Sequence, residues 1–464
     1  MFRQSLLWAS CLALLAAPVS GARAQGKAAT RPATSAAPKF GAGIEARTLK
    51  NGMKVIVWPD QDIPNAVLYN WFRVGSRNEY PGITGLSHFF EHMMFNGAKK
   101  YGAGEFDRVM EANGGANNAF TSEDVTVYME WFPRSALELI FDLEADRLQH
   151  LAFDPKVIES ERGVVYSERR SAVDNYNAGA LMEQVQATAF VAHPYQFPVI
   201  GWPSDIESWK LEDLQRYFKT YYAPNNGTLI VTGAVTPAEV FALAEKYLQP
   251  IPSQPAPEPV RTKEPEQQGE RRIVVKKLAQ SPILQLAYHG IAGNDADVEA
   301  LDLLLRILAD GDSSRLHHRL VEEERAAIKV DTYFTPGFDP ALVWILADLP
   351  PGGDLAKTEA LVTEELARVV KEGVTEAELR KARNIALANH WRSLETNDGR
   401  GRALGAAEVF RGDYRQLFDA PARFERVNRE AVRKVAERIF KTQRRTVGWL
   451  VPDTAPEAPK EAQR

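Results

Sequence analysis

The sequence predicts an α+β protein made of two similar units, each a sheet flanked by helices. Three observations lead there. Apolar runs of strand length alternate with longer segments of helical period, that order of elements comes twice, and a stretch crowded with Pro, Glu and Gln separates the two passes. A chain of 464 residues is also too long for one ordinary hydrophobic core, which stops growing near ~250 residues. Its 45% hydrophobic and 25% charged residues are those of a globular protein. A net charge of -5 over this length excludes a dedicated nucleic-acid surface.

Residues 1–24 read as a secretory signal. Arg3 gives a basic start, an apolar stretch runs from Ser5 to about Pro18, and Ala22-Arg23-Ala24 is a small-x-small cleavage site. The run is short for a spanning helix, and no later segment has the ~18 uninterrupted apolar residues that a membrane span needs. The mature chain is therefore expected to be secreted into the periplasm. Its single cysteine, Cys11, falls inside the signal, which leaves neither disulfides nor thiolates, so any metal must be held by His, Asp or Glu. Residues 25–43, rich in Ala, Thr, Pro, Ser and Lys, read as a flexible tether.

The first folded unit is expected over residues 44–249. Strands are read at 53–58, 67–74 and 124–132, helices from about 85, 105 and 155, a strand at 228–235 after the Asn225-Asn226-Gly227 turn, and a helix over 237–248. Residues 250–272 are the linker. The second unit, 273–455, repeats the order with strands at 273–277, 283–289 and 341–349 and helices at 298–308, 355–372 and 376–395.

The chemistry is concentrated in Gly85-Leu86-Ser87-His88-Phe89-Phe90-Glu91-His92. On a helix His88 and His92 lie one turn apart, so both imidazoles leave the same face and can grip one cation, with Glu91 beside them. Such a grip suits Zn²⁺, which needs a third protein ligand and leaves a fourth position for water. On the helix from about 155, Glu161 and Glu168 are seven residues apart and share a face, so one can bind metal while the other supports it from behind. By themselves these two glutamates read better as solvated carboxylates than as a ligand and its support. The adjacent His317 and His318 point in different directions on a helix and read as surface residues.

These residues resemble the pitrilysin, or insulinase-like, family of metallopeptidases, which also includes the mitochondrial processing peptidase subunits. Further family-like pieces are Leu49-Lys50-Asn51-Gly52, Val74-Gly75-Ser76-Arg77-Asn78-Glu79, Phe95-Asn96-Gly97 and Gly114-Gly115-Ala116-Asn117-Asn118-Ala119-Phe120-Thr121. The resemblance implies an inverted-zincin site with one Zn²⁺ per chain on His88, His92 and Glu168, with Glu161 as the supporting glutamate. It implies that Glu91 is the general base for a zinc-activated water. It also implies antiparallel-rich sheets, two units that together form half of a clamshell, and an exposed edge at Asn118, Ala119 and Phe120 that pairs with the backbone of a peptide substrate.

One departure stands out. Where the family's second half supplies an Arg and a Tyr that hold the peptide and the tetrahedral intermediate, this chain has Val321 and Ile328, and neither can donate a hydrogen bond to an oxyanion. Arg325 and Tyr333 lie nearby at the wrong spacing. The expectation is a zinc endopeptidase acting as the zinc-bearing half of a heterodimer, its related subunit presenting Arg and Tyr, with a homodimer as the other arrangement. The competing class is a non-catalytic structural or assembly subunit of the same fold.

Overall fold

A computed structural model of the chain describes residues 41–453. The signal at 1–24 and nearly all of the tether at 25–43 lie outside the described residues. Strands β1 (Glu45–Thr48), β2 (Lys54–Pro59), β3 (Asn65–Phe72), β4 (Ala116–Thr121), β5 (Thr126–Pro133) and β6 (Gly227–Gly233) form one sheet in the order β1-β2-β6-β3-β5-β4. Strands β7 (Arg271–Lys277), β8 (Ile283–His289), β9 (Lys329–Phe334), β10 (Leu342–Asp348) and β11 (Arg445–Pro452) form a second, in the order β7-β11-β8-β10-β9. Among the described strands only β2 with β6 and β7 with β11 run parallel. Leaving β1 aside, the two orders are the same: the first strand of each unit pairs with its last, and the third is the outer edge. The chain thus adopts the duplicated, antiparallel-rich α+β fold that the sequence predicts. Strands β9 and β11 escape the sequence pattern, because charged residues interrupt the first and Gly448 the second; pairing with their neighbours makes them strands.

The first unit carries helices α1 (Leu86–Met93), α2 (Glu105–Ala112), α3 (Leu137–His150), α4 (Pro155–Arg169), α5 (Asn177–Ala189), α6 (Pro203–Ser208), α7 (Leu211–Tyr221) and α8 (Pro237–Leu243). The second carries α9 (Val298–Ala309), α10 (Arg315–His317), α11 (Leu355–Glu372), α12 (Glu376–Ser393), α13 (Asn397–Arg411), α14 (Gln416–Arg426) and α15 (Arg429–Ile439). None of the described helices is long and apolar enough to cross a membrane.

Strands β3 and β6 are buried along almost their whole length, so their sheet is apolar on both faces and must be covered twice. One face takes side chains of the unit's own helices, among them Phe89, Phe90, Ile140 and Leu214. The other face presents Ile56, Tyr69, Trp71 and Ile230, and Leu404 of α13 and Leu417 of α14 cover it from the opposite unit. Gly405 permits this approach, because a Cβ there would collide with the Trp71 indole. The second sheet returns the exchange. Leu301, Val362 and Val435 fill one of its faces, while Leu181 and Val185 of α5 pack with Trp344 and Leu450 on the other. Polar contacts reinforce the exchange: Asp398 of α13 accepts from Tyr69 Oη and from Trp131 Nε1, both at 2.7 Å. The turn between β4 and β5 is also tied across, since buried Asp124 accepts from Tyr195 Oη at 2.8 Å and from the Phe338 amide at 3.0 Å.

Candidate metal centre

Helix α1 owes its orientation to Leu86, Phe89, Phe90 and Met93, which recur at helical spacing and are buried in the first core. That stripe turns His88, Glu91 and His92 the other way. The helix begins at Gly85, whose φ of 87° is left-handed and whose Cβ, if present, would stand 2.6 Å from the Ile200 carbonyl oxygen. Glu79 caps the first turn, accepting from the Gly85 amide at 2.6 Å and the Ser87 amide at 2.7 Å. Burial outweighs those two bonds and pushes the Glu79 carboxyl up to about 7.

Helix α4 starts at Asp154, which caps it by accepting from the Lys156 amide at 2.8 Å, with Pro155 at the first helical position. Two arginines, each next to a glutamate of interest, dock it. Arg162 donates to the Trp209 carbonyl at 3.0 Å, and Arg169 forks onto Glu183 at 2.7 and 2.9 Å. Glu161 and Glu168 are thereby aimed at α1.

Glu168 Oε2 stands 3.6 Å from His88 Nε2 and 3.4 Å from His92 Nε2. Among the described residues this is the one group of His, Cys, Asp or Glu able to hold a metal ion together. Donors ~2.1 Å from a tetrahedral ion lie about 3.4 Å apart, which these separations match. Glu168 Oε2 is buried without a hydrogen-bond partner among the described residues, a condition that a cation relieves. Behind the donors, His92 Nδ1 and Glu161 Oε1 are 2.7 Å apart, which fixes the ring so that Nε2 faces Glu168. Two imidazoles and a carboxylate with a position left open are a zinc donor set, and the residues fit that ion.

Electrostatics agree. Burial, then the charge of His92, pushes His88 below its ordinary value. Burial acts the same way on His92, but the carboxylates of Glu161 and Glu168 overcome it and lift the imidazole to about 10. Burial would raise Glu168, yet the two imidazoles outweigh it and hold the carboxyl low. A divalent cation would take the place of the proton that such a cluster holds.

Glu91 stays outside the three donors, and its Oε2 accepts from Thr121 Oγ1 at 2.7 Å. Strand alternation explains the contact. Asn117, Ala119 and Thr121 share the face toward α1 and α2, where Asn117 donates to Asp107 at 2.9 Å and Ala119 packs on the first core. Phe120 lies on the other face, its ring against Trp71 and under Arg402 of α13. Thr121 was missed by sequence reasoning, although counting two residues on from Ala119 puts it on the α1 face. Among the described residues strand β4 pairs only with β5, so Asn118, Ala119 and Phe120 lie on an edge with main-chain groups on its open side. In the second unit Val321 packs against the core and Ile328 is 62% exposed. His318 is exposed beside Glu322 and Glu323, away from the donor group.

The family described as insulinase, peptidase family M16, matches residues 56–201, which contain all three donors and Glu91. The description "Peptidase M16 inactive domain" matches residues 208–386, which contain none of them. The zinc protease PqqE of Helicobacter pylori is 32% identical over 416 residues, spanning 88% of this chain and 93% of that protein. The chain belongs to peptidase family M16. Another relative, the uncharacterized zinc protease YmxG of Bacillus subtilis, is 25% identical over 397 residues, spanning 86% of this chain and 96% of that protein. Among solved structures, a protease from Helicobacter pylori has a TM-score of 0.85 at 31% identity, covering 88% of this chain and 99% of that one. The periplasmic protease PqqL from Escherichia coli shares the M16 fold, with a TM-score of 0.74 at 18% identity; 89% of this chain covers 48% of that one.

Two outcomes are expected. Elemental analysis of the zinc-equilibrated protein should give one ion per chain, with occupancy lost in His88→Ala, His92→Ala and Glu168→Gln. Glu161→Gln should keep the site and weaken affinity by about 10- to 100-fold; full occupancy in Glu168→Gln would move the third ligand elsewhere. The second outcome concerns Glu79. A carboxyl at about 7 in the folded chain and 4.5 in the unfolded one contributes stability that is present below 4.5 and lost as pH rises through 7. The difference in unfolding free energy between wild type and Glu79→Gln should therefore fall by about 3 kcal/mol between pH 4.5 and 7. Thermal melts of both proteins across that range check it.

Proposed function

We propose that this chain is a zinc-dependent endopeptidase that cleaves peptides or unfolded protein segments, and that it works in the periplasm as the zinc-bearing half of a two-subunit enzyme. The observation that carries the reading is the position of Glu91: a carboxylate beside the three donors but outside them, at the end of an open strand edge. His88, His92 and Glu168 would hold a zinc ion, which would supply a water acidic enough to ionise near neutrality and would polarise the scissile carbonyl. An extended peptide adds to β4 through its main chain, which gives affinity with little demand on sequence. Glu91 takes the proton from the water and later delivers it to the nitrogen of the leaving amine. Glu161 holds the His92 ring so that Nε2 keeps facing Glu168.

Relatives named zinc proteases support the activity. The signal-like residues 1–24, and a structural neighbour described as a periplasmic protease, support the location. Val321 and Ile328 support the pairing, since neither can hold an oxyanion, and PqqL, twice the span of this chain, is long enough to hold two such halves. A non-catalytic assembly subunit of the same fold would have no use for Glu91 outside an intact donor set.

Glu91→Gln should retain zinc and thermal stability while cleaving a quenched fluorogenic peptide about 10²- to 10⁴-fold more slowly. Comparable cleavage by that variant would remove Glu91 as the base. The wild-type chain assayed alone should be slower by about 10²- to 10³-fold than when mixed with a related subunit that presents Arg and Tyr. Light scattering should report a heterodimer; full activity as a monomer or homodimer would overturn the pairing.

A further inference from the structure

The hydrogen bond between Thr121 and Glu91 joins two parts of the molecule that the proposed reaction uses separately. Glu91 belongs to α1, the helix of the two histidines, and Thr121 is the last residue of β4, the strand whose outer edge is open. We infer that Thr121 is a positioning residue for Glu91, and that the strand on which a peptide is laid thereby also sets the carboxylate that acts on it. The inference rests on Glu91 being the general base.

The geometry is specific. Thr121 Oγ1 donates to Glu91 Oε2 at 2.7 Å, and among the described residues no other side chain donates to that carboxylate. A glutamate has three rotatable bonds, and a base beside a metal must reach its water without swinging onto the ion or out to solvent. One charge-assisted bond from a β-branched side chain, stiff about its first torsion, is enough to select the orientation. Thr121 is itself well placed to serve as a reference point. It is paired with Thr126 in the β4–β5 ladder, and one residue on, the Ser122 amide donates to the Val125 carbonyl at 2.8 Å. Asp124 in the same turn is held by Tyr195 Oη at 2.8 Å and by the Phe338 amide of the second unit at 3.0 Å. The hydroxyl thus hangs from a hairpin end that both units hold. Main-chain pairing of a peptide along β4 stiffens the same strand from its free side.

The test uses Thr121→Val, which keeps the branched shape and deletes the donor, and Thr121→Ser, which restores the donor. Each is compared with wild type in the complex that is active on a fluorogenic peptide, together with Glu91→Gln. Thr121→Val is expected to lower kcat by about 10- to 100-fold, the range for losing a hydrogen bond to a charged group. KM, zinc content and melting temperature should stay at wild-type values, and Thr121→Ser should recover most of kcat. A Thr121→Val protein with wild-type kcat overturns the inference, and so does a loss that appears as raised KM or lowered zinc content, or that Thr121→Ser fails to rescue. An active Glu91→Gln would instead overturn the general-base reading, so the two failures are distinguishable.

Discussion

A sheet that is apolar on both faces cannot be left with one of them wet, and this constraint organises the molecule. Strands β3 and β6 bury side chains above and below, and the first unit has helices for only one side. The missing cover arrives from the second unit as α13 and α14, and α5 goes the other way to cover the second sheet. Each unit thus completes the other's core. The long crossing segments are the consequence, since a helix that must reach a neighbour's sheet has to leave its own. Gly405 marks how closely α13 lies, with backbone where a side chain would strike Trp71.

The candidate metal centre inherits its rigidity from that arrangement. Its donors come from two helices, and each helix is fixed by contacts that have nothing to do with metal. The apolar stripe of α1 is sunk in the first core and its first turn is closed by Glu79. Helix α4 is docked by Arg162 and Arg169, the immediate neighbours of Glu161 and Glu168 in the chain. Two imidazoles and a carboxylate can therefore face one another at metal-ligand spacing before any ion binds, which spares the site an ordering cost. Three carboxylates, Glu91, Glu161 and Glu168, surround two imidazoles, and this excess of negative charge favours a divalent cation.

Duplication explains the scaffold but not the chemistry. Helix α9 follows the second strand of its unit as α1 does in the first, yet its residues Val298 to Ala309 are mostly apolar and include no histidine. Strand β9 holds the edge place that β4 holds, without a helix bearing a pair of histidines behind it. The same topology can support a reactive site or a packed helix, and the side chains on one helical face decide which.

The sequence by itself determined a good deal. The His88–His92 spacing and the helical period around it are local, so both the half-site and its face could be read directly. The repeat of element order announced two like sheets, because strand and helix periods are properties of short segments. Choosing Glu168 over Glu161 took a family resemblance, since two glutamates seven apart on a helix look the same from within that helix. Tertiary structure alone decided the rest. Glu161 lands on His92 Nδ1 and Glu168 between the two Nε2 atoms because α4 crosses α1 at a height set by arginine contacts far along the chain. Thr121 meets Glu91 only because β4 ends beside α1, and α5 and α13 change sheets only because each sheet has a second apolar face. These are relations between residues distant in sequence, and nothing in a local pattern encodes the distance at which two packed elements meet.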